Sequence, residues 1–247
     1  MLRLDDLPPR SEPLLILRPV ELDALLSGVF CGGQMTVAYG PERALLTLFA
    51  HSVLVSALQS NRDMVAVFLD SGRNYSARLT RGLSSGLDLE DILGRTVFSR
   101  VLSLQDLRDA ADYISGRSDV VMVVVDSLVG ALNLTEGPGT KGRARSLYGA
   151  LECLRRAVNA TGVHVLMTDH MNREWDTGES SPVGGNVLAH GVENVIRIER
   201  SLLQPDIVMF ALERSAYGTP RAGLRMKYTT DCFESAETEV RQQDGRT

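Results

Sequence analysis

The sequence predicts an α/β domain with a mostly parallel central sheet flanked by helices and an antiparallel extension at its C-terminal end. Three observations carry this. Apolar, strand-like runs alternate with helix-period stretches through the first two-thirds of the chain, the pattern of strand–helix units feeding a parallel sheet. Val120–Val125 is apolar at every position, which fits a central strand covered on both faces. The last three strand-like runs lie close together, so hairpins rather than helical crossovers should join them.

The elements follow in order. Met35–Tyr39 is short, apolar and partly β-branched, and reads as the first core strand. Glu42–Ser60 is apolar on most sides and should form a buried helix. Met64–Leu69 is a second buried-type strand, and Leu104–Ser115 alternates apolar and charged residues at helical spacing. Val120–Val125 precedes Arg145–Ala160, where Leu147, Leu151, Leu154 and Val158 form one stripe of an amphipathic helix. Val163–Met167, Val195–Glu199, Ile207–Leu212 and Leu224–Tyr228 complete the strands. Residues 1–14 read as an arm, 15–234 as the core, and 235–247 as a polar tail. No internal repeat is visible.

Composition excludes several classes. The chain has 247 residues, 44% hydrophobic, 23% charged and 5% aromatic, an ordinary globular mix. No apolar run approaches the ~18 residues that span a bilayer, and the acidic start argues against a secretion signal. The net charge of −5 argues against general nucleic-acid affinity across the whole surface. Cys31, Cys153 and Cys232 are scattered and form no CxxC pair, so neither disulfides nor a metal site is expected, and a cytoplasmic location fits.

Ligands of open parallel sheets bind beyond the carboxyl ends of the strands. After Met35–Tyr39 comes Gly40-Pro41-Glu42-Arg43-Ala44-Leu45-Leu46-Thr47. A P-loop reads G-x-x-x-x-G-K-[ST] in this context. Gly40 and Thr47 stand in register, but Leu45 replaces the second glycine and Leu46 the lysine. The glycines let backbone N–H groups curl round phosphates, and the lysine neutralises them. Glu42 would repel an anion, and Arg43 is no direct substitute for the lysine. Lys141 and Lys227 are the only lysines in the chain. The plain alternative is a strand–turn–helix with Pro41 in the first turn.

Asp126 and Ser127 follow the central strand, where a nucleoside triphosphatase holds magnesium. A carboxylate capping the next turn explains the same residue. Asp70-Ser71-Gly72 ends the preceding strand, and Gly72 cannot polarise a water. Asp70 reads best as a turn signal. No residue is assigned a catalytic role.

The segment from Asn133 to Arg145 is too glycine-rich to suggest regular structure, and it ends in Lys141, Arg143 and Arg145. His170–Val183 reads as a second loop, with Arg173 near Trp175. Between Lys141 and Arg173 six basic residues face two acidic ones. Arginines on loops beside an aromatic ring suit single-stranded DNA, although Glu174 and Asp176 flank Trp175. Solvated surface charge is the alternative.

Pro182-Val183-Gly184-Gly185-Asn186-Val187-Leu188-Ala189-His190 resembles the Pro-x-Gly-Gly-x-x-x-x-His segment closing the second DNA-binding loop of RecA/RadA recombinases. Leu22-Asp23-x-x-Leu26, Gly33-Gln34-Met35-Thr36, Tyr39-Gly40-Pro41, Val125-Asp126-Ser127, Gly142-Arg143 and Thr168-Asp169-His170 line up with further segments of that family in order. The resemblance spans roughly residues 15–230 and implies a RecA-like core. Together with the basic segments above, it gives Lys141, Arg143, Arg145, Arg173, Trp175, Gly184, Gly185 and His190 as the candidate DNA contacts. It also implies a nucleotide site, here degenerate, at Gly40, Pro41, Arg43, Thr47, Asp126 and Ser127. The P-loop glycines and lysine are lost, Gly72 stands where a catalytic glutamate is expected, and the family's N-terminal helical domain and Phe-x-x-Ala peptide are not found.

The chain is therefore similar to an archaeal RadA paralogue. The expected function is non-catalytic mediation or regulation of recombination and repair, through single-stranded DNA and a recombinase or paralogue partner, with no cofactor. Two alternatives stand: an unorthodox ATP–magnesium site shared between subunits, and a scaffold that touches neither DNA nor nucleotide.

Overall fold

A computed structural model describes residues 13–84, 89–133, 141–173, 180–217 and 221–236. In chain order its elements are α1 (Val20–Leu25), β1 (Met35–Gly40), α2 (Arg43–Ser60), β2 (Val65–Asp70), α3 (Ala77–Leu83), α4 (Leu89–Gly94), β3 (Thr96–Arg100), α5 (Leu104–Ser115) and β4 (Val120–Asp126). Then come α6 (Leu128–Asn133), α7 (Lys141–Thr161), β5 (His164–Arg173), β6 (Ser180–Pro182), α8 (Gly185–Gly191), β7 (Asn194–Arg200), β8 (Ile207–Arg214), β9 (Arg221–Tyr228) and β10 (Phe233–Ser235).

One sheet runs β10-β9-β8-β7-β1-β5-β4-β2-β3, with β6 attached to β5. The strands from β7 through β1, β5, β4 and β2 to β3 pair in parallel. The β7-β8-β9-β10 extension is antiparallel. The predicted fold class is the observed one.

The strand pleat explains the sequence pattern. On β4, Met122 and Val124 face a core layer with α2, and Val123 and Val125 face a layer with α5 and α7. With both faces covered, no polar side chain has a place in the run. Every residue of α2 from Leu45 to Leu58 is buried, so this helix lacks a polar face. The hydroxyl of Ser52 donates to the Leu48 carbonyl within the helix (2.9 Å), which satisfies a polar group there. On α7 the stripe of Leu147, Leu151, Leu154 and Val158 packs on the opposite layer.

Two loop expectations are corrected. Lys141, Arg143 and Arg145 lie on α7, whose first residue is Lys141. A glycine such as Gly142 in a helix costs only about 1 kcal/mol, and the buried leucine stripe offsets that. Asn133, where that loop is expected to begin, is the last residue of α6, and residues 134–140 lie outside the described residues. Of the expected loop His170–Val183, residues 170–173 continue β5 and pair antiparallel with β6 at Met171↔Pro182 and Arg173↔Ser180, and residues 174–179 lie outside the described residues. Trp175 lies outside the described residues.

Some elements carry no sequence signal. β3 is an edge strand, half-buried at first and exposed from Phe98 to Arg100, so it has no apolar run. β6 and β10 have three residues each, too few to show a period. At the N-terminal side, Leu14 N–H donates to the Phe30 carbonyl (2.8 Å) and Pro13 bridges Cys31. Among the described residues no helix is long and apolar enough to cross a membrane.

Candidate functional site

The parallel strands end at one edge of the sheet. There Gly40 pairs with His170, and Asp70 pairs with Asp126. The residues singled out on β1, β2, β4 and β5 therefore converge, although they are far apart in sequence.

Gly40 is required by strand packing. A Cβ on it would fall 1.9 Å from the Ile198 carbonyl oxygen of β7. Pro41 follows, and Glu42 precedes α2 without capping it through its side chain. The Glu42 carboxylate instead accepts a forked pair from Arg200, with Nε at 2.9 Å and Nη2 at 2.9 Å. Two parallel bonds fix this geometry more firmly than a point charge would. Arg43 Nη2 donates to the Gly72 carbonyl (2.7 Å). A Cβ on Gly72 would lie 1.8 Å from that nitrogen, so Arg43 occupies the space a side chain at position 72 would need. Leu45 and Leu46 are 0% and 2% exposed and belong to the core.

Thr47, one turn further along α2, donates its hydroxyl to Asp126 Oδ2 (2.8 Å). Thr168 on β5 donates to Oδ1 (2.6 Å). Burial pushes the Asp126 carboxyl above the ordinary range, and the two hydroxyl donors partly oppose this. The Asp126–Ser127 peptide is cis. Ser71 Oγ accepts from the Ser127 N–H (2.9 Å) and donates to the Ser127 carbonyl (2.8 Å). Ser127 Oγ accepts from the Gly130 N–H (3.1 Å). Asn74 Nδ2 donates to the Asp126 carbonyl (3.0 Å). Asp70 accepts the backbone N–H groups of Gly72 (2.9 Å), Asn74 (2.9 Å) and Tyr75 (3.2 Å). Its carboxylate is spent on the turn.

His51 lies beneath this cluster. Its Nε2 accepts from the Ser76 N–H (3.0 Å), so Nδ1 carries the proton and donates to the Thr47 carbonyl (2.8 Å). Its ring stacks on Tyr75 at 5.4 Å and tilts against Phe68 at 5.0 Å. Burial lowers its pKa and keeps it neutral. Its bond to the backbone of Thr47 spans a single helical turn, but its second partner comes from the loop after β2.

The DNA-site candidates divide into three groups. Lys141 and Arg145 are exposed on α7. Arg143 is on the same helix, and Arg173 ends β5. Gly184 and Gly185 form the entry to α8, whose last turn holds the exposed His190. Asp169 Oδ2 accepts the Gly184 N–H (2.8 Å), and Oδ1 accepts the His170 N–H (2.8 Å). A Cβ on Gly184 would fall 2.7 Å from the Leu188 Cβ, and Gly185 has φ +59°. Both positions therefore demand glycine. The hydroxyl of Tyr39 donates to Glu213 Oε2 (2.8 Å) and lies 3.3 Å from the Ser180 carbonyl on β6. Burial and the Glu213 carboxylate hold that phenol well above its usual range. Side chains of the core thus fix the base of the segment that runs from β6 into α8. His190 lines an open groove of about 450 Å³ with Tyr148, Leu151, Arg155 and Val187. Tyr148 lies off the buried stripe of its helix, so the apolar pattern does not single it out.

Comparison with known proteins adds four findings. The Rad51 family model matches residues 15–203. The DNA repair and recombination protein RadB of Halobacterium salinarum is 29% identical over 188 residues, covering 72% of this chain and 78% of that protein. RadB of Thermoplasma acidophilum is 24% identical over 183 residues, covering 72% of this chain and 76% of that one. The crystal structure of the RadB recombinase superposes with a TM-score of 0.72 at 19% identity, covering 87% of this chain and 96% of that one. At that identity the match speaks to the fold.

Proposed function

The chain belongs to the Rad51 family, and from that premise we propose that it serves recombination and repair without ATP turnover, binding single-stranded DNA and a recombinase or paralogue partner. The observation that carries this reading is the fate of Leu45 and Leu46. They stand at the glycine and lysine positions of the phosphate-binding pattern, and both are sealed in the core. No ammonium or curled run of backbone N–H groups is available there to neutralise a triphosphate.

The residues present do not fit a nucleoside triphosphate with magnesium. Both oxygens of Asp126 accept hydroxyl donors from Thr47 and Thr168. Glu42 adds negative charge at the turn, already paired with Arg200. Arg43 is directed at Gly72. Among the described residues no group of three or more His, Cys, Asp or Glu side chains could hold a metal ion.

The DNA half of the reading is supported by Lys141 and Arg145, exposed on α7, the helix that packs against α8. The partner half is supported by two surfaces. β3 is an open sheet edge beside a groove of about 430 Å³ that includes Val97, Phe98 and Tyr113, and such edges accept a strand from another chain. Leu202 and Leu203, between β7 and β8, are 97% and 92% exposed, an apolar pair available for burial at an interface.

The test is a steady-state assay of magnesium-dependent ATP hydrolysis, comparing the wild type with Asp126→Ala. The expected rate is indistinguishable from the blank for both. A robust wild-type rate that Asp126→Ala abolishes would overturn the reading.

A further inference from the structure

Positions 141, 145 and 148 follow the i, i+4, i+7 spacing of a single helix face. That face of α7 carries Lys141, Arg145 and Tyr148, all exposed, beside the buried leucine stripe. Among the described residues, neither Lys141 nor Arg145 forms an ion pair. Tyr148 is 60% exposed, and it lines the groove with Leu151, Val187 and His190. Glu152 is the uncompensated acid of the lining, because Arg155 is paired with Glu193 at 2.8 Å. The surface therefore offers an aromatic face and an apolar floor, with cations at one end, in a chain whose net charge is −5.

We infer that this groove is a base-stacking platform: a nucleobase of single-stranded DNA lies on Tyr148 while Lys141 and Arg145 meet the flanking phosphates. The inference rests on the DNA-binding half of the function proposed above and assigns its aromatic anchor. Single-strand sites combine such rings with cationic tracks, and each stacked base contributes an affinity that alanine removes. The phosphates supply the salt-dependent part of binding. The ring supplies a part that salt does not screen.

The test is fluorescence anisotropy of a labelled oligothymidylate, with and without abasic positions, over a range of salt. Tyr148→Ala should bind about 10-fold more weakly than the wild type. Tyr148→Phe, which keeps the ring, should match the wild type. The slope of log K against log salt should not change in Tyr148→Ala, because no charge is lost. Arg145→Ala should instead reduce that slope by about 0.7. Abasic positions should weaken the wild type and leave Tyr148→Ala little changed, so that the two losses are not additive. Because Tyr148 is mostly solvent-exposed, the variant should melt at the wild-type temperature. Wild-type affinity in Tyr148→Ala, with abasic DNA bound equally by both, would overturn the platform while leaving DNA binding intact. If the wild type bound no oligonucleotide even at low salt, the DNA reading itself would fall, and the platform with it. If Tyr148→Ala abolished capture of a recombinase but not of DNA, the groove would be a protein site.

Discussion

The hydroxyl of Thr47 donates to the carboxylate of Asp126 across 2.8 Å, joining the second turn of α2 to the end of β4. With Thr168 on the second oxygen at 2.6 Å, the acid is enclosed by its own fold. Replacing Asp126 with alanine leaves two buried hydroxyls without their acceptor. A cost of about 2 kcal/mol is expected, read as a lower melting temperature, while Asp126→Asn, which keeps an acceptor, should cost less. Millimolar magnesium should leave the wild-type melting temperature unchanged. A magnesium-dependent rise that Asp126→Ala removes would indicate a metal site, since a ligand that binds only the native state raises stability.

Restoring the motif should not restore a site. Leu46 is 2% exposed, so Leu46→Lys places an ammonium in a core without a counter-ion. We expect a loss of about 3 kcal/mol or more in denaturant unfolding, and no ATP hydrolysis. A stable Leu46→Lys variant that binds ATP would show that the turn can open.

The two glycines that flank the site should differ in tolerance. In Gly40→Ala the new methyl meets the Ile198 backbone oxygen at 1.9 Å, and that oxygen belongs to a paired strand. In Gly72→Ala it meets the end of the Arg43 side chain at 1.8 Å, which can swing away. The predicted order of destabilisation is Gly40→Ala well above Gly72→Ala, the latter about 1 kcal/mol for the lost hydrogen bond. Equal melting temperatures for the two variants would contradict it.

Much of the fold was legible because it follows from burial. Val120–Val125 is apolar because α2 covers one face and α5 and α7 cover the other. Leu147, Leu151, Leu154 and Val158 revealed the helix for the same reason. β3 was invisible because an edge strand with exposed Phe98 and Arg100 needs no pattern. The start of α7 was misread because Gly142 and the arginines weigh locally toward a loop, while the leucine stripe that holds the helix lies further along. Within the site, the positions of Gly40, Thr47 and Asp126 could be read by spacing. Their partners could not, because Ile198 meets Gly40 and Thr168 meets Asp126 only when the strands align. The aromatic residue chosen from sequence was Trp175, whereas Tyr148 required knowing which helix face is exposed.

Stability should depend on pH through His164. It is fully buried, with Nδ1 against the Cys31 carbonyl (2.8 Å) and Nε2 against Thr36 Oγ1 (3.0 Å). Burial pushes its pKa down to about 4. The unfolded chain, with a pKa near 6.5, takes up the proton first as pH falls. The contribution of neutral His164 is therefore complete above about pH 6.5 and is lost toward pH 4, at about 1.4 kcal/mol per pH unit. His51 shifts in the same direction, and Asp126 in the opposite one. Urea unfolding across that range should show a steeper loss in the wild type than in His164→Gln. Parallel profiles would remove His164 from the account.

We propose that this Rad51-family core engages DNA without nucleotide. The most direct measurement is binding of a labelled single-stranded oligonucleotide, with and without magnesium-ATP, at several salt concentrations. The account predicts binding that weakens with salt, by a slope of about −0.7 for each phosphate contacted, and is the same with and without magnesium-ATP. Binding that appears only with magnesium-ATP would contradict it and would mean that the turn around Leu45 and Leu46 opens to a nucleotide.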